Sequence, residues 1–112
     1  MNSQKITIVL VEPGQSPQIT TVPNDLNYFE ELVDGPASVE QFFISGYRIV
    51  CSVDEGLGYE TGRSLPNGTY FIARYHTSFE DMTVEEAGEV KKILRDRAKK
   101  RKKKGIFSIF SR

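Results

Sequence analysis

The sequence predicts one α+β domain, built on a mainly antiparallel sheet of four or five strands with two helices. Short runs of β-branched and aromatic residues alternate with turn signals, and two segments carry apolar residues at helical spacing. A chain of 112 residues with 38% hydrophobic residues can form one small core without a metal or a disulfide. Because Gly62–Tyr75 couples the turn Pro66-Asn67-Gly68 to the clearest late strand, Thr69–Tyr75, we expect the sheet to form around that strand.

The first 36 residues predict a hairpin followed by a helix. Ile6–Val11 is apolar and β-branched enough for a central strand, and Ile19–Val22 is its expected hairpin partner. Asn24 or Asp25 can cap a helix that ends at Gly35-Pro36. The apolar stripe of this helix consists of Leu26, Phe29, Leu32 and Val33.

A second hairpin is predicted between the two helices. Ala37–Ile44 and Tyr47–Val53 are rich in aromatic and β-branched residues, and they flank Ser45-Gly46. Residues 54–68 contain four glycines, one proline and three acidic residues, so this segment is predicted to be a loop.

The last helix is predicted from the capping box Thr83-Val84-Glu85-Glu86, in which the first and last side chains satisfy each other's exposed backbone N–H groups. Its apolar stripe consists of Val84, Ala87, Val90 or Lys91, Leu94 and Ala98. We expect both helices to lie on one face of the sheet. Because the stripe fades after Ala98 and a glycine, Gly105, interrupts any continuation of the helix, the sequence predicts a compact acidic domain over residues 1–95. Residues 96–112 are predicted to be a basic, flexible tail with an apolar end.

Charge is segregated along the chain, although the formal net charge is zero. Residues 1–90 contain 14 acidic and four basic side chains, a formal charge of −10. Residues 91–112 contain 11 basic side chains and one acidic side chain, a formal charge of +10. Such asymmetry is typical of an interaction segment attached to a folded body.

Few features favour catalysis or metal binding. Cys51 is the single cysteine and His76 the single histidine, so a two-histidine zinc site and a Ser-His-Asp triad both lack partners. We expect a buried, inert thiol and an edge or loop histidine, with a pairing of the two left open. The glycine spacing of Gly56–Gly62 faintly resembles a nucleotide loop, but this segment follows an acidic stretch and does not open a helix. Asp54, Glu55 and Glu60 lack the ligand order of a calcium loop. The sequence therefore predicts no enzyme, no cofactor and no metal.

Arg63 is one of the four cations of the acidic body and lies beside its clearest motif. It can pair with a carboxylate of the body, or it can contact an anionic ligand or a partner's carboxylate. Tyr59 and Glu60 are expected to share such a contact.

Several short motifs together resemble domain-of-unknown-function family 3846. They are Val11-Glu12-Pro13-Gly14, Leu32-Val33-Asp34-Gly35, Cys51 followed by Asp54-Glu55-Gly56, Arg63-Ser64-Leu65 and Gly68-Thr69-Tyr70-Phe71-Ile72. The resemblance covers roughly residues 6–94, and the family is carried largely by phages and mobile elements of bacteria. It implies a small non-enzymatic accessory protein that acts by binding, inhibiting or modulating a host factor such as a defence system.

The expected location is the cytoplasm of a bacterial host. A single cysteine suits a reducing compartment, and the apolar run Ile6–Val11 is too short for a signal peptide or a membrane span.

The basic tail has three predicted partners: a host protein or another protomer, nucleic acid, and an anionic membrane surface. Its cationic contacts are Lys99, Lys100, Arg101, Lys102, Lys103 and Lys104. Its apolar anchors are Ile106, Phe107, Ile109 and Phe110. No aromatic residue is interleaved among the cations, which disfavours base stacking by the tail itself. A nucleotide-sequestering site near Arg63 and a tail that only aids solubility are further alternatives.

Overall fold

The computed structural model describes residues 4–53, 65–66 and 68–110, with side chains described up to residue 97. The elements in chain order are β1 (Lys5–Val11), β2 (Gln18–Pro23), α1 (Leu26–Val33), β3 (Ala37–Gln41), β4 (Tyr47–Ser52), β5 (Tyr70–Tyr75), β6 (Phe79–Glu80) and α2 (Val84–Phe110). The fold is α+β, as predicted. None of the described helices is long and apolar enough to cross a membrane.

The sheet is antiparallel, and β5 lies at its centre. The strand order is β2-β1-β5-β4-β3, and β6 pairs with the end of β5. Ile72 is paired with Val9 of β1 on one side and with Ile49 of β4 on the other. The central position of β5 and both hairpins are therefore confirmed. Strand β6 was not predicted, because a strand of two residues is too short to show a period.

The two helices cover opposite faces of the sheet, so the expectation of one shared face is wrong. One cluster joins Val9, Ile49 and Ile72 to Ala87, Val90 and Leu94 of α2. The other joins Ile8, Val50 and Phe71 to Phe29 and Val33 of α1. The reason is that the central strands are apolar on both faces, and each face must be covered. In the sequence, the signal for this arrangement is the uninterrupted apolar run Tyr70–Ala73, and all four of these residues are buried in the structure.

The second hairpin has a wider turn than the sequence predicted. Strand β3 ends at Gln41, which pairs with Arg48, so residues 42–46 form the connection. A tight two-residue turn at Ser45-Gly46 would pair the two strands in a different register, shifted by two residues from the one observed. The strand stops early because Phe42 leaves it to enter the core, where its ring lies 6.5 Å from that of Tyr47.

Helix α1 ends in a left-handed residue. Asp25 is the N-cap residue and has an extended conformation, but its side chain makes no capping hydrogen bond. The position of the cap was therefore predicted correctly, whereas the expected side-chain bond is absent. Asp34 has φ 63°, and the N–H of Gly35 donates to the Glu30 carbonyl at 3.0 Å. Glu30 Oε2 accepts the N–H of Ala37 at 2.9 Å, which ties the helix to the first residue of β3.

Helix α2 begins with the predicted capping box. Thr83 N–H donates to Glu86 Oε1 at 2.9 Å, and Glu86 N–H donates to Thr83 Oγ1 at 3.1 Å. Val84 is 79% exposed, against its predicted place in the stripe. Met82, just before the cap, enters the core with Ala87 instead, which is the arrangement of a hydrophobic staple.

The backbone of α2 continues as helix to Phe110. This bound lies beyond the end near residue 95 that the fading stripe predicted, and beyond the interruption expected at Gly105. Lysine and arginine are strong helix formers, which favours helix through the six cations at 99–104. The division into a domain and a tail stays a prediction.

Candidate functional site

The residues that the sequence singled out for binding lie outside the described side chains. Tyr59, Glu60 and Arg63 fall within residues 54–64, which the structure does not describe. The cations at 99–104 and the apolar anchors at 106, 107, 109 and 110 are on the backbone of α2, without described side chains. Their roles stay predictions.

Cys51 and His76 are at opposite ends of the sheet. Cys51 is fully buried and pairs with Tyr70 at the start of β5, whereas His76 is exposed just after Tyr75. Six residues of strand separate these positions by roughly 20 Å. The pairing that the sequence left open is therefore excluded, and both residues have the environments expected for them. In the described part of the chain, no group of His, Cys, Asp and Glu side chains could hold a metal ion.

A groove of about 420 Å³ lies at the wide turn of the second hairpin. The turn segment Gln41–Gly46 forms one wall, and Arg48, Tyr75 and His76 complete the lining. The Tyr75 N–H donates to the Gly46 carbonyl at 2.9 Å, so the turn is fastened to β5. None of the nine lining residues is acidic, although residues 1–90 carry a formal charge of −10.

Arg48 carries the positive charge of this groove. Its guanidinium carbon lies 5.0 Å from the centroid of the Tyr75 ring, and its Nη1 donates to the Tyr47 carbonyl at 3.1 Å. Both ion pairs among the described residues belong to another arginine, Arg74. No described carboxylate therefore neutralises Arg48, and its remaining N–H groups can donate to an anion.

Phe43 connects the groove to α2. Its half-buried ring belongs to the groove wall, and the guanidinium carbon of Arg97 lies 3.7 Å from the ring centroid. Lys92 and Arg95, on the same helix, are exposed. No aromatic residue is interleaved among the cations of residues 91–104, but the fold places the Phe43 ring against one of them, Arg97.

This groove was not predicted from the sequence. Its lining residues come from three places in the chain: the end of β3 with the turn that follows it, strand β4, and the end of β5. They lie close together because of the register of the hairpin. Arg48, one of the four cations of the acidic body, was the available signal.

Comparison with known proteins identifies no relative. No family model, no curated protein sequence and no solved structure matches this chain.

Proposed function

We propose that this chain is a non-enzymatic binding protein whose partner is nucleic acid, held by the cations of α2. The observation that best supports this proposal is that helix α2 consists of two different parts. Its first turns are capped by Thr83 and Glu86 and buried through Ala87, Val90 and Leu94. Every residue from 91 onward with a formal charge, apart from Asp96, is basic.

The spacing of these cations suits a phosphate backbone. Ten basic residues lie between Lys91 and Lys104, a length of about 20 Å at the helical rise of 1.5 Å per residue. Double-stranded DNA carries one phosphate charge per about 1.7 Å of its axis, so several phosphates lie within that length. The acidic body repels phosphate, which confines the contact to α2 and its surroundings. Binding is expected to be independent of base sequence and strongly dependent on salt.

The test is fluorescence anisotropy of a labelled 20-base-pair DNA duplex with the full chain, over a salt series. In one variant the six cations at 99–104 are replaced by glutamine. In the matched control, the five lysines become arginine and Arg101 becomes lysine, which keeps the charge. We expect the glutamine variant to bind more weakly and with a shallower salt slope, while the control retains both.

Absence of duplex binding by the full chain at low salt would contradict the proposal. Binding to vesicles of anionic lipid in that case would instead support the membrane surface as partner. Equal loss of duplex binding in the two variants would show that charge is not what the helix contributes.

Binding of a host protein is the second candidate, and it includes the phage-accessory role that the family resemblance implies. The outer edge of β3 favours it: among the described strands this one is last in the sheet order, and its Val39 is 45% exposed. A partner strand could add to such an edge through main-chain hydrogen bonds. Val39→Lys should then abolish copurification of a host protein, while the same change at exposed Ile19, on the opposite edge strand β2, should not.

A further inference from the structure

We infer that the groove beside Arg48 receives an unpaired nucleobase and its phosphate, so that the protein prefers single-stranded to double-stranded nucleic acid. This inference rests on the proposed function and deepens it, because it assigns a second contact region and a substrate class. Its five contributing side chains are Gln41, Phe43, Arg48, Tyr75 and His76, with Arg97 at the border.

The size and construction of the groove suit a base. Its volume of about 420 Å³ lies within the range usual for small-molecule sites. The turn segment is fixed by the bond from Tyr75 N–H to the Gly46 carbonyl, and Arg48 lies on a strand that is paired with β5. A site formed before binding loses little conformational freedom when the ligand enters. Bases within a duplex remain stacked and paired, so only an unpaired base can enter.

Two pairs of arginine and aromatic side chains lie near the groove, one on each face of the sheet. Arg48 lies over the Tyr75 ring at 5.0 Å, and Arg97 lies over the Phe43 ring at 3.7 Å. Unpaired bases stack on aromatic rings and on guanidinium planes alike. The Arg48 pair, which lines the groove, therefore offers a planar guanidinium together with N–H donors for phosphate oxygens.

The charge of the groove favours an anion. Its lining has no acidic residue, Arg48 has no described carboxylate partner, and exposed His76 adds a ring nitrogen donor. The exposed Gln41 amide can donate to and accept from a base edge. A groove with both aromatic and hydrogen-bonding residues and with this charge favours a ligand that combines a planar polar ring with a negative charge.

The position of the groove favours a strand over a free nucleotide. Phe43 belongs to the groove wall and also contacts Arg97 of α2. To reach Arg48 on the other face of the sheet, a strand whose phosphates lie along α2 passes around the turn formed by residues 42–46. The contact with α2 supplies most of the affinity, and the groove supplies the preference for unpaired bases.

The test uses the full chain and measures anisotropy with a 20-nucleotide oligo-dT and a 20-base-pair duplex at one salt concentration. Arg48→Gln is expected to weaken oligo-dT binding about tenfold, since stacking and a phosphate contact are lost together, and to leave duplex binding unchanged. Arg48→Lys should lose most of the preference for oligo-dT, because a lysine keeps the charge without the plane. Lys5→Gln removes one exposed cation elsewhere in the body and should change neither affinity.

The outcomes separate the two proposals. Duplex and oligo-dT binding with equal affinity, or an equal effect of Arg48→Gln on both, would overturn the inference while the proposed function stands. Binding of neither would overturn both. Tight binding of free dTMP, unaffected by glutamine at 99–104, would show a mononucleotide site and also overturn the inference. Circular dichroism melts of each variant establish that the fold is retained.

Discussion

Arg74 and Glu86 connect the central strand to the first turn of α2. Arg74 Nη1 donates to Glu86 Oε2 at 3.1 Å, while Glu86 Oε1 accepts the N–H of Thr83 at 2.9 Å. One carboxylate therefore caps the helix and holds it to β5. Arg74 also contacts Glu80 of β6 at 3.6 Å, so three elements meet at this arginine.

Glu86→Ala is expected to lower the free energy of unfolding by about 1 kcal/mol, because the cap and the ion pair are lost together. Glu86→Gln keeps a capping acceptor and loses only the charge. It should therefore cost less, about 0.5 kcal/mol, since the pair is partly exposed. Urea unfolding followed by circular dichroism measures both values. Glu85→Ala is the control, and a loss there equal to that of Glu86→Ala would contradict the capping role.

Asp34→Gly is expected to stabilise the protein by about 0.5 kcal/mol, as measured by urea unfolding. Asp34 ends α1 with φ 63°, a conformation that glycine adopts without the steric cost of a Cβ atom. Gly35→Ala serves as the opposite case. Gly35 has φ 152°, and an added Cβ would lie 3.2 Å from Ser52 Oγ. That variant should be destabilised, and a less stable Asp34→Gly protein would show that the aspartate makes a compensating contact.

The Cys51 thiol is expected to be unreactive towards Ellman's reagent in the folded protein and to react fully in guanidinium chloride. The residue is completely buried between β3 and β5 in the sheet, so the reagent reaches it only after unfolding. Thr77→Cys, at an exposed position after β5, provides a thiol that should react without denaturant. Rapid labelling of Cys51 in the native state would reveal an accessible thiol and reopen a chemical role for it.

Phe43 and Arg97 are expected to show a coupling free energy of about 0.5–1 kcal/mol in a double-mutant cycle of Phe43→Leu and Arg97→Gln. The 3.7 Å separation places the cation directly against the ring face. Unfolding free energies from urea titration complete the cycle. A parallel cycle with Arg95→Gln, an exposed arginine on the same helix, should give no coupling. Equal coupling free energies in the two cycles would mean that the coupling arises from net charge and not from contact between the Arg97 guanidinium and the Phe43 ring.

Elements whose information is local were predictable. The capping box needs only residues 83–86, and the first hairpin needs only two apolar runs and the turn between them. The end of β3 was not predictable, because it depends on Phe42 finding a place in a core assembled from distant segments. The same holds for β6, whose two residues form a strand only where β5 offers a partner.

The sequence alone determined the type of each element except β6, the central role of Tyr70–Tyr75 and the division of charge between residues 1–90 and 91–112. Propensity, turn chemistry and charge are properties of short segments, so they can be read without the fold. Only the tertiary structure decided that α1 and α2 cover opposite faces, that Phe43, Arg48 and Tyr75 line one groove, and that Arg97 contacts Phe43. Those relationships depend on strand register and on which faces must be buried, and both are settled by contacts between residues far apart in the chain.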